Sequence, residues 1–324
     1  MLTSVLLFAV GLVLLIKGGD WFVDGATGIA KRFNLPDIVV GATVVSIGTT
    51  LPEVMVSTTG ALAGSGAMAY GNAIGSIICN TALIAAISIT CNPGPVNVKS
   101  MKTPAIFFFA SAGLYCLASY VLGTFPRWMG FVMLSIFVVY MITTVRNGMK
   151  NPDEAHEDEE EEGKQRTLLM ELILLIVGAA VIAVGADLLV EHGQIIAIGL
   201  GVPETVVALL FVALGTSLPE LVTTITSLRS GHASLGVGNV IGANVFNLVL
   251  VSGVAVSLAP FDVPCENFLL NTGLNMSLVF EIPVMLGVMS LMIFPALATK
   301  KLARWQGILL LCIYAAFCVC QFVL

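Results

Sequence analysis

Two stretches of the chain decide its fold: GTTLPE at residues 48–53 and GTSLPE at residues 215–220. Each lies inside a long apolar run, and a shift of 167 residues superimposes one on the other without a gap. The same shift pairs further residues over about seventy positions: Gly11 with Gly178, Asp20 with Asp187, Pro36 with Pro203, Gly71-Asn72 with Gly238-Asn239, Gly75 with Gly242 and Asn80 with Asn247. The chain therefore contains an internal duplication.

Composition assigns the duplicated chain to the membrane. Of its 324 residues, 57% are hydrophobic and only 10% are charged, whereas an average soluble domain carries about 25% charged residues. Too little polar surface remains to cover a globule in water, which excludes a soluble domain, a nucleic-acid-binding protein and a disordered chain. A nearly neutral, hydrocarbon-compatible chain is typical of a polytopic membrane protein.

Ten stretches are long and apolar enough to cross a bilayer, which takes about 20 residues per helix. They lie at about 2–30, 36–63, 68–90, 104–124, 127–146, 167–198, 203–229, 234–258, 271–296 and 304–323. Each half holds five spans, and because five is an odd number the second half enters the membrane from the opposite side. The predicted fold is an all-α polytopic membrane protein of two five-helix inverted-topology repeats, with broken helices 2, 3, 7 and 8 at its core.

The sequence divides into two repeats and a linker. The predicted boundaries are 1–146 for the first repeat (motif region 41–80), 147–166 for the linker, and 167–324 for the second repeat (motif region 208–247). The linker holds eight of the twenty acidic residues of the chain, which is typical of a solvated charge run.

The basic residues set the predicted orientation. With the N-terminus outside, the inner loops hold twelve of the fourteen: Lys31, Arg32, Lys99, Lys102, Arg146, Lys150, Lys164, Arg166, Arg229, Lys300, Lys301 and Arg304. The outer loops hold only Arg127, and Lys17 lies inside the first span. Because basic residues concentrate on the cytoplasmic side, both termini are predicted to lie outside and the acidic linker in the cytoplasm.

The two duplicated motifs bring oxygen atoms together inside the membrane. Proline donates no backbone hydrogen bond, so Pro52 frees the carbonyl of Gly48 and interrupts a helix easily beside a glycine. Thr49 and Thr50 precede Glu53 by four and three residues, which places their hydroxyls near the carboxylate on a helix. The second motif repeats this arrangement. Each half thus predicts a cluster of carboxylate, hydroxyl and carbonyl oxygens.

A second duplicated motif, GNAIGS at 71–76 and GNVIGA at 238–243, supplies the partner helices. Its small residues allow close helix packing, and Asn80 and Asn247 add amide oxygens without charge. Zinc or copper would favour nitrogen or sulfur ligands, but the histidines and cysteines lie outside the two glutamate motifs. An all-oxygen site fits a hard cation such as Ca²⁺ or Na⁺.

The need to balance the charge of the two glutamates limits the possible functions further. A carboxylate at mid-membrane is costly unless it is paired, and no Lys or Arg occurs at 41–75 or 202–228. A bound cation or a proton must therefore balance the two glutamates. A membrane-embedded lipid-phosphate hydrolase, a remote alternative, would need Arg or Lys beside them to bind phosphate.

At these residues the sequence resembles the cation/calcium antiporter superfamily, especially the prokaryotic sodium/calcium exchangers. The resemblance covers essentially the whole chain and rests on the specific motifs G-T-[TS]-L-P-E and G-N-x-I-G-[SA]-x-x-x-N. It implies a secondary active antiporter, not an enzyme, that exchanges Ca²⁺ for Na⁺ by alternating access in the plasma (inner) membrane of a prokaryote. No resident cofactor is implied. The long first and sixth spans would slide against the remaining core.

The resemblance also implies the ion ligands. Glu53 and Glu220 would bind Ca²⁺ jointly, helped by the backbone carbonyls of Thr49 and Thr216. Na⁺ would share the glutamates and use flanking ligands: the Ser46 carbonyl and Thr50 on one side, the Ala213 carbonyl, Ser217 and Ser76 on the other, with Asn80 and Asn247 completing the central ring.

Departures from the family pattern refine this expectation. Asn80 stands where the potassium-dependent branch carries Asp, which disfavours potassium dependence, and many sodium/calcium exchangers carry Asp in place of Asn247. Ala243 replaces a hydroxyl residue that serves a Na⁺ subsite in some relatives. Gly75 and Gly242 stand where proton/calcium members often have Glu, so that branch fits less well. A Ca²⁺/H⁺ antiporter that uses the same glutamates is the alternative, since both glutamates could titrate.

Among the acidic residues of the spans that belong to neither motif, Glu281 in span 9 has no counterpart in the first half, where position 114 is Leu. It is left without a role at this stage.

Overall fold

The computed structural model describes residues 2–150, 167–200, 215–264 and 275–323. Its long helices are α1 (Leu2–Arg32), α2 (Asp37–Leu62), α3 (Gly66–Cys91), α4 (Val98–Leu122), α5 (Arg127–Met149), α6 (Leu168–Gly199), α7 (Leu218–Arg229), α8 (Ala233–Leu258), α9 (Ser277–Thr299) and α10 (Arg304–Val323). Within the described residues, nine of them are long and apolar enough to cross a membrane, all except the shorter α7. The predicted all-α polytopic class is confirmed. The N-terminal part of predicted span 7 and most of the linker lie outside the described residues.

Helices α1 and α6 form an antiparallel pair whose backbones approach closely at glycines. A Cβ atom on Gly11 would lie 2.9 Å from the carbonyl oxygen of Gly185, and one on Gly185 would lie 2.9 Å from that of Gly11. Further along, a Cβ on Gly25 would lie 2.6 Å from the carbonyl oxygen of Glu171. Side chains at these positions would hold the backbones apart, so the glycines join the two helices into one unit.

The core of the molecule is built from α2, α3 and α8, together with α7. In their most apolar windows, 83% of α8, 72% of α3 and 61% of α2 is buried, against 28% of α1, α5 and α6. Two short antiparallel ribbons flank this core: β1 (Gly94–Pro95) pairs with β4 (Lys301–Leu302), and β2 (Thr124–Phe125) pairs with β3 (Phe261–Asp262). Each ribbon joins a loop of one half of the chain to a loop of the other.

The core helices are interrupted by π-helical segments. These lie at Gly41–Val45 in α2, Asn80–Ala85 in α3 and Asn247–Val251 in α8. Asn80 and Asn247 both begin such a segment, at positions that the duplication makes equivalent. A π turn widens the helix locally and is frequent at functional sites because it redirects side chains and leaves carbonyl groups outside the regular ladder.

The two glutamate motifs take different backbone forms. Helix α2 runs without a break from Ser46 to Leu62 with Pro52 inside it, so its interruption lies N-terminal to the proline and not at it. In the second motif, Thr216 and Ser217 form a turn and α7 begins at Leu218. The proline of the second motif stands in the first helical turn, where no hydrogen bond is lost.

Candidate cation-binding site

The two motif glutamates meet at the centre of the core. Glu53 of α2 and Glu220 of α7 are both 0% exposed, and their carboxylates are close enough for their charges to interact. None of the four carboxylate oxygens has a hydrogen-bond partner among the described residues. Neither glutamate forms an ion pair with another described residue, whereas Lys17 pairs with Asp20, Arg32 with Glu171 and His232 with Asp37. Two buried carboxylates without a partner need a cation or a proton.

Hydroxyl groups of the first repeat lie beside the glutamate of the second. The side chains of Thr49 and Thr50 lie next to the Glu220 carboxylate. Thr50 is fully buried and its hydroxyl has no hydrogen-bond partner among the described residues, whereas Thr49 donates to Asn239 Oδ1 at 3.1 Å. The site is therefore assembled across the interface between the repeats.

Further unpartnered oxygens come from the helices that surround the glutamates. Asn80 and Asn247 are 0% exposed, and neither amide group has a hydrogen-bond partner in the described part of the chain. The buried hydroxyls of Ser76 and Ser217 are equally unpartnered. Buried amides and hydroxyls are normally hydrogen-bonded, so this concentration of free oxygens has the chemistry of a ligand set for a hard cation.

Glycines allow the close crossing of α2 and α8 beside the site. A Cβ atom on Gly41 would lie 2.2 Å from the carbonyl oxygen of Leu235, and one on Gly238 would lie 2.3 Å from that of Ile38. A Cβ on Gly242 would lie 2.4 Å from the Ser46 hydroxyl. Any side chain at these positions would push α2 away from α8.

The structure divides the predicted ligands into two groups. Those expected to use side-chain oxygens have that oxygen buried and unpartnered: Glu53, Glu220, Thr50, Ser76, Ser217, Asn80 and Asn247. Ser46 and Thr49, which were expected to use backbone carbonyls, have their hydroxyls engaged with Asn239 instead. Thr216 is half-buried at the turn before α7, and Ala213 lies outside the described residues. The ligand roles themselves stay predictions.

Sequence reasoning missed the supporting asparagines. Asn239 accepts hydrogen bonds from Ser46 Oγ at 3.2 Å and from Thr49 Oγ1 at 3.1 Å through its Oδ1 atom. Its equivalent, Asn72, donates to the Glu53 carbonyl at 3.2 Å and to Ser57 Oγ at 2.8 Å. Both belong to the duplicated Gly-Asn pair, so their repetition marks them as candidates. The small residues beside them account for the motif through helix packing alone, which leaves the asparagines unexplained.

A third asparagine has no equivalent in the other repeat. Asn244 of α8 donates to Thr81 Oγ1 at 2.7 Å and to Met289 Sδ at 3.2 Å, and all three side chains are fully buried. The residues at the equivalent positions are Ile77 and Leu248. This hydrogen bond joins α8 to α3 at the residue that follows Asn80. The sequence duplication does not predict it, because neither of its residues is repeated.

Comparison with known proteins identifies the fold and the family. The family model described as sodium/calcium exchanger protein matches residues 3–146 and 170–323, which is most of the chain. The chain belongs to the sodium/calcium exchanger family. It is 30% identical to the sodium/calcium exchanger MaX1 of Methanosarcina acetivorans, over 98% of each protein, and 33% identical to a membrane protein of Methanocaldococcus jannaschii, over 95% of this chain and 94% of the relative.

A solved structure agrees with these sequence relatives. The sodium-calcium exchanger NCX_Mj superimposes with a TM-score of 0.78 at 30% identity, covering 98% of this chain and 97% of that one. The superfamily resemblance expected from the two motifs is thereby confirmed. Members of the sodium/calcium exchanger family are transport proteins and not enzymes, which agrees with the absence of basic residues from the glutamate motifs.

Proposed function

We propose that the protein exchanges Ca²⁺ for Na⁺ across a membrane by binding both ions in turn at one site shared by Glu53 and Glu220. The observation that carries the proposal is the pair of fully buried carboxylates, one from each repeat, whose oxygens have no partner among the described residues. The names of the relatives, sodium/calcium exchangers from archaea among them, support the choice of ions.

The charge of the site explains why one ion must replace the other. Two ionised glutamates carry a charge of −2, which one Ca²⁺ or two Na⁺ would neutralise, while three Na⁺ would leave +1 and make exchange electrogenic. A doubly negative site is costly to carry through a low-dielectric interior, whereas a loaded site is not. Competition for the two carboxylates is therefore sufficient for antiport, with alternating access of the inverted repeats as the carrier step.

The proposed ligands divide between the ions. Ca²⁺ takes both glutamates with the backbone carbonyls of Thr49 and Thr216. Na⁺ ions take flanking positions: the Ser46 carbonyl with Thr50, and the Ala213 carbonyl with Ser217 and Ser76, with Asn80 and Asn247 in the central ring. The free side-chain oxygens and the engaged hydroxyls of Ser46 and Thr49 support this division.

The proposed setting is the plasma (inner) membrane of a prokaryote, with both termini outside and the acidic linker in the cytoplasm. The repeats at 1–146 and 167–324 are proposed as the two inverted halves. A reporter that is active only in the cytoplasm, inserted in the linker or fused to the C-terminus, tests the orientation. The linker fusion should be active and the terminal one silent, and the reverse pattern would contradict it.

Flux in reconstituted vesicles tests the choice of ions. Ca²⁺ uptake should follow an outward Na⁺ gradient at fixed pH, and a pH gradient without Na⁺ should drive none. Uptake that requires only the pH gradient would favour the Ca²⁺/H⁺ alternative and overturn the sodium claim. Glu191, an exposed residue of α6, provides the control: E191Q should leave uptake unchanged.

A further inference from the structure

Glu281 lies in a second polar cluster within the membrane helices, near the ends of the helices that the β2–β3 ribbon connects. It is the last residue of a π-helical segment, Ser277–Glu281, at the start of α9. Ser277 Oγ donates to its Oε2 at 2.8 Å, and Gln321 Nε2 of α10 donates to its Oε1 at 3.2 Å. In the described part of the chain, no basic side chain forms an ion pair with it. The hydrogen bonds orient the carboxylate but leave its charge unbalanced.

Two buried hydroxyls, those of Tyr70 and Ser119, belong to the same cluster. The Tyr70 side chain of α3 lies near Glu281, Ser277 and Ser119. The Tyr70 and Ser119 side chains are 1% and 3% exposed, yet their hydroxyls have no hydrogen-bond partner among the described residues. Ser119 also lies in a π-helical segment, Leu117–Leu122 of α4. Hydroxyls so deeply buried are normally satisfied, and that of Tyr70 lies near the Glu281 carboxylate.

Aromatic packing fixes the tyrosine. The Tyr70 ring lies 5.6 Å from that of Tyr115 and 5.9 Å from that of Phe125, centroid to centroid. Phe125 lies in strand β2 and in turn packs on Phe261 of β3 at 5.2 Å. The ribbon therefore holds the Tyr70 hydroxyl in place, which lowers the entropic cost of using it as a ligand.

The cluster also connects with the central site. Tyr115 lies near Tyr70, Glu281 and Ser252, and Ser252 Oγ donates to the Asn247 carbonyl at 2.9 Å. Asn247 begins the π-helical segment of α8. Three hydroxyl side chains, those of Tyr70, Tyr115 and Ser252, thus lie between Glu281 and this segment.

We propose that Glu281, Ser277, Tyr70 and Ser119 form a second binding site, for one Na⁺ ion, separate from the site of the two motif glutamates. One carboxylate balances one monovalent charge, whereas Ca²⁺ would keep an excess charge in a low-dielectric environment. The Ser277 hydroxyl can donate to the carboxylate and still offer lone pairs to the ion. None of the four residues lies in GTTLPE, GTSLPE, GNAIGS or GNVIGA, so this site does not depend on the proposed exchange function.

Thermal unfolding of the purified full-length protein tests the second site once the central one is removed. In the variant E53Q/E220Q, Na⁺ should raise the unfolding midpoint by at least about 2 °C over choline at equal ionic strength, because a ligand stabilises the state that binds it. Adding E281Q should abolish the rise, and adding E191Q instead should leave it intact. The proposal is overturned if E53Q/E220Q shows no Na⁺ effect or if E281Q leaves the effect unchanged.

A milder variant covers the case in which E281Q does not fold. Y70F removes one proposed ligand oxygen and keeps the aromatic packing, so about tenfold more Na⁺ should be needed for half of the thermal shift in the E53Q/E220Q background. An identical Na⁺ dependence with and without Y70F would contradict the proposal. A shift that follows pH and not Na⁺ would contradict it as well, since it would mark Glu281 as a proton site.

Discussion

The two glutamate motifs carry matching oxygen-bearing side chains but have different structural supports. In α2 the helix continues through the motif, and Ser46 and Thr49 are bonded to Asn239 of the opposite repeat. In the second half a turn at Thr216 and Ser217 precedes the helix, so Glu220 lies in the first turn of α7. Duplication thus preserved the buried carboxylates and the hydroxyl residues beside them, while the backbone around them diverged.

Comparing the halves separates the side chains that both halves share from those that only one half has. Each half has one motif glutamate and one asparagine, Asn80 or Asn247, and the side chains of all four are unpartnered among the described residues. Ser46 and Ser76 have Ala213 and Ala243 as their equivalents, so hydroxyls are unevenly distributed. We therefore expect changes to the shared groups to affect Ca²⁺, and changes to the unequal ones to affect Na⁺ or the packing of one half.

The largest effect is expected at the α2–α8 crossing, where the α2 residue is a glycine but its equivalent in the second half is not. Gly41 has Ala208 as its equivalent in the sequence. G41A would place a Cβ atom 2.2 Å from the Leu235 carbonyl oxygen, which should destabilise the protein by about 3 kcal/mol or more. Yield and unfolding midpoint in detergent measure the loss. G113A, at a position with open space around it, should fold normally; equal behaviour of both would refute the crossing.

The next effect concerns the asparagine supports. N239A removes the Oδ1 atom that accepts from Thr49 and Ser46 and leaves Ser46 its backbone acceptors. The Ca²⁺ concentration for half-maximal uptake should rise about tenfold, as expected for about 1.4 kcal/mol. N72A affects a half-buried side chain and should have a smaller effect. Radiolabelled Ca²⁺ uptake at varied Ca²⁺ checks both, and a larger effect of N72A would reverse the proposed asymmetry.

Much of this arrangement could be predicted from the sequence, because duplication marks it. The motif glutamates, the two ring asparagines and the all-α class follow from repeated residues and apolar length. The π-helical segments could not be predicted, since no residue type specifies them, and neither could the continuity of α2 through Pro52. The Asn244–Thr81 bond depends on residues that meet only in three dimensions. Glu281 was visible as an intramembrane acid, but its hydroxyl neighbours come from helices distant in sequence.

A moderate effect is expected from the motif hydroxyls. T50V and S217A each remove a buried, unpartnered hydroxyl and leave both carboxylates in place. The Na⁺ concentration for half-maximal exchange should rise about five- to tenfold, while Ca²⁺ affinity changes by about twofold at most, since the charge that binds Ca²⁺ is kept. Flux at varied Na⁺ and at varied Ca²⁺ separates these effects. Equal weakening of both ions would show that the hydroxyls serve Ca²⁺ too.

The smallest effect is a gain. A243S introduces into the second half the hydroxyl that Ser76 provides in the first, at a position that is 0% exposed. Half-maximal exchange should then need about two- to threefold less Na⁺, and S76A should shift it in the opposite direction. The same Na⁺ titration measures both. If A243S raised the Na⁺ requirement, the two halves would not be equivalent at this position.

Calorimetric titration of purified protein with Ca²⁺ in Na⁺-free buffer tests most directly whether one site is shared by both repeats. We expect a single Ca²⁺ bound per chain, and at least about 100-fold weaker binding in both E53Q and E220Q, because either change removes half of the charge that holds the ion. Wild-type affinity in one of these two variants would contradict a shared site, since the site would then belong to one repeat alone.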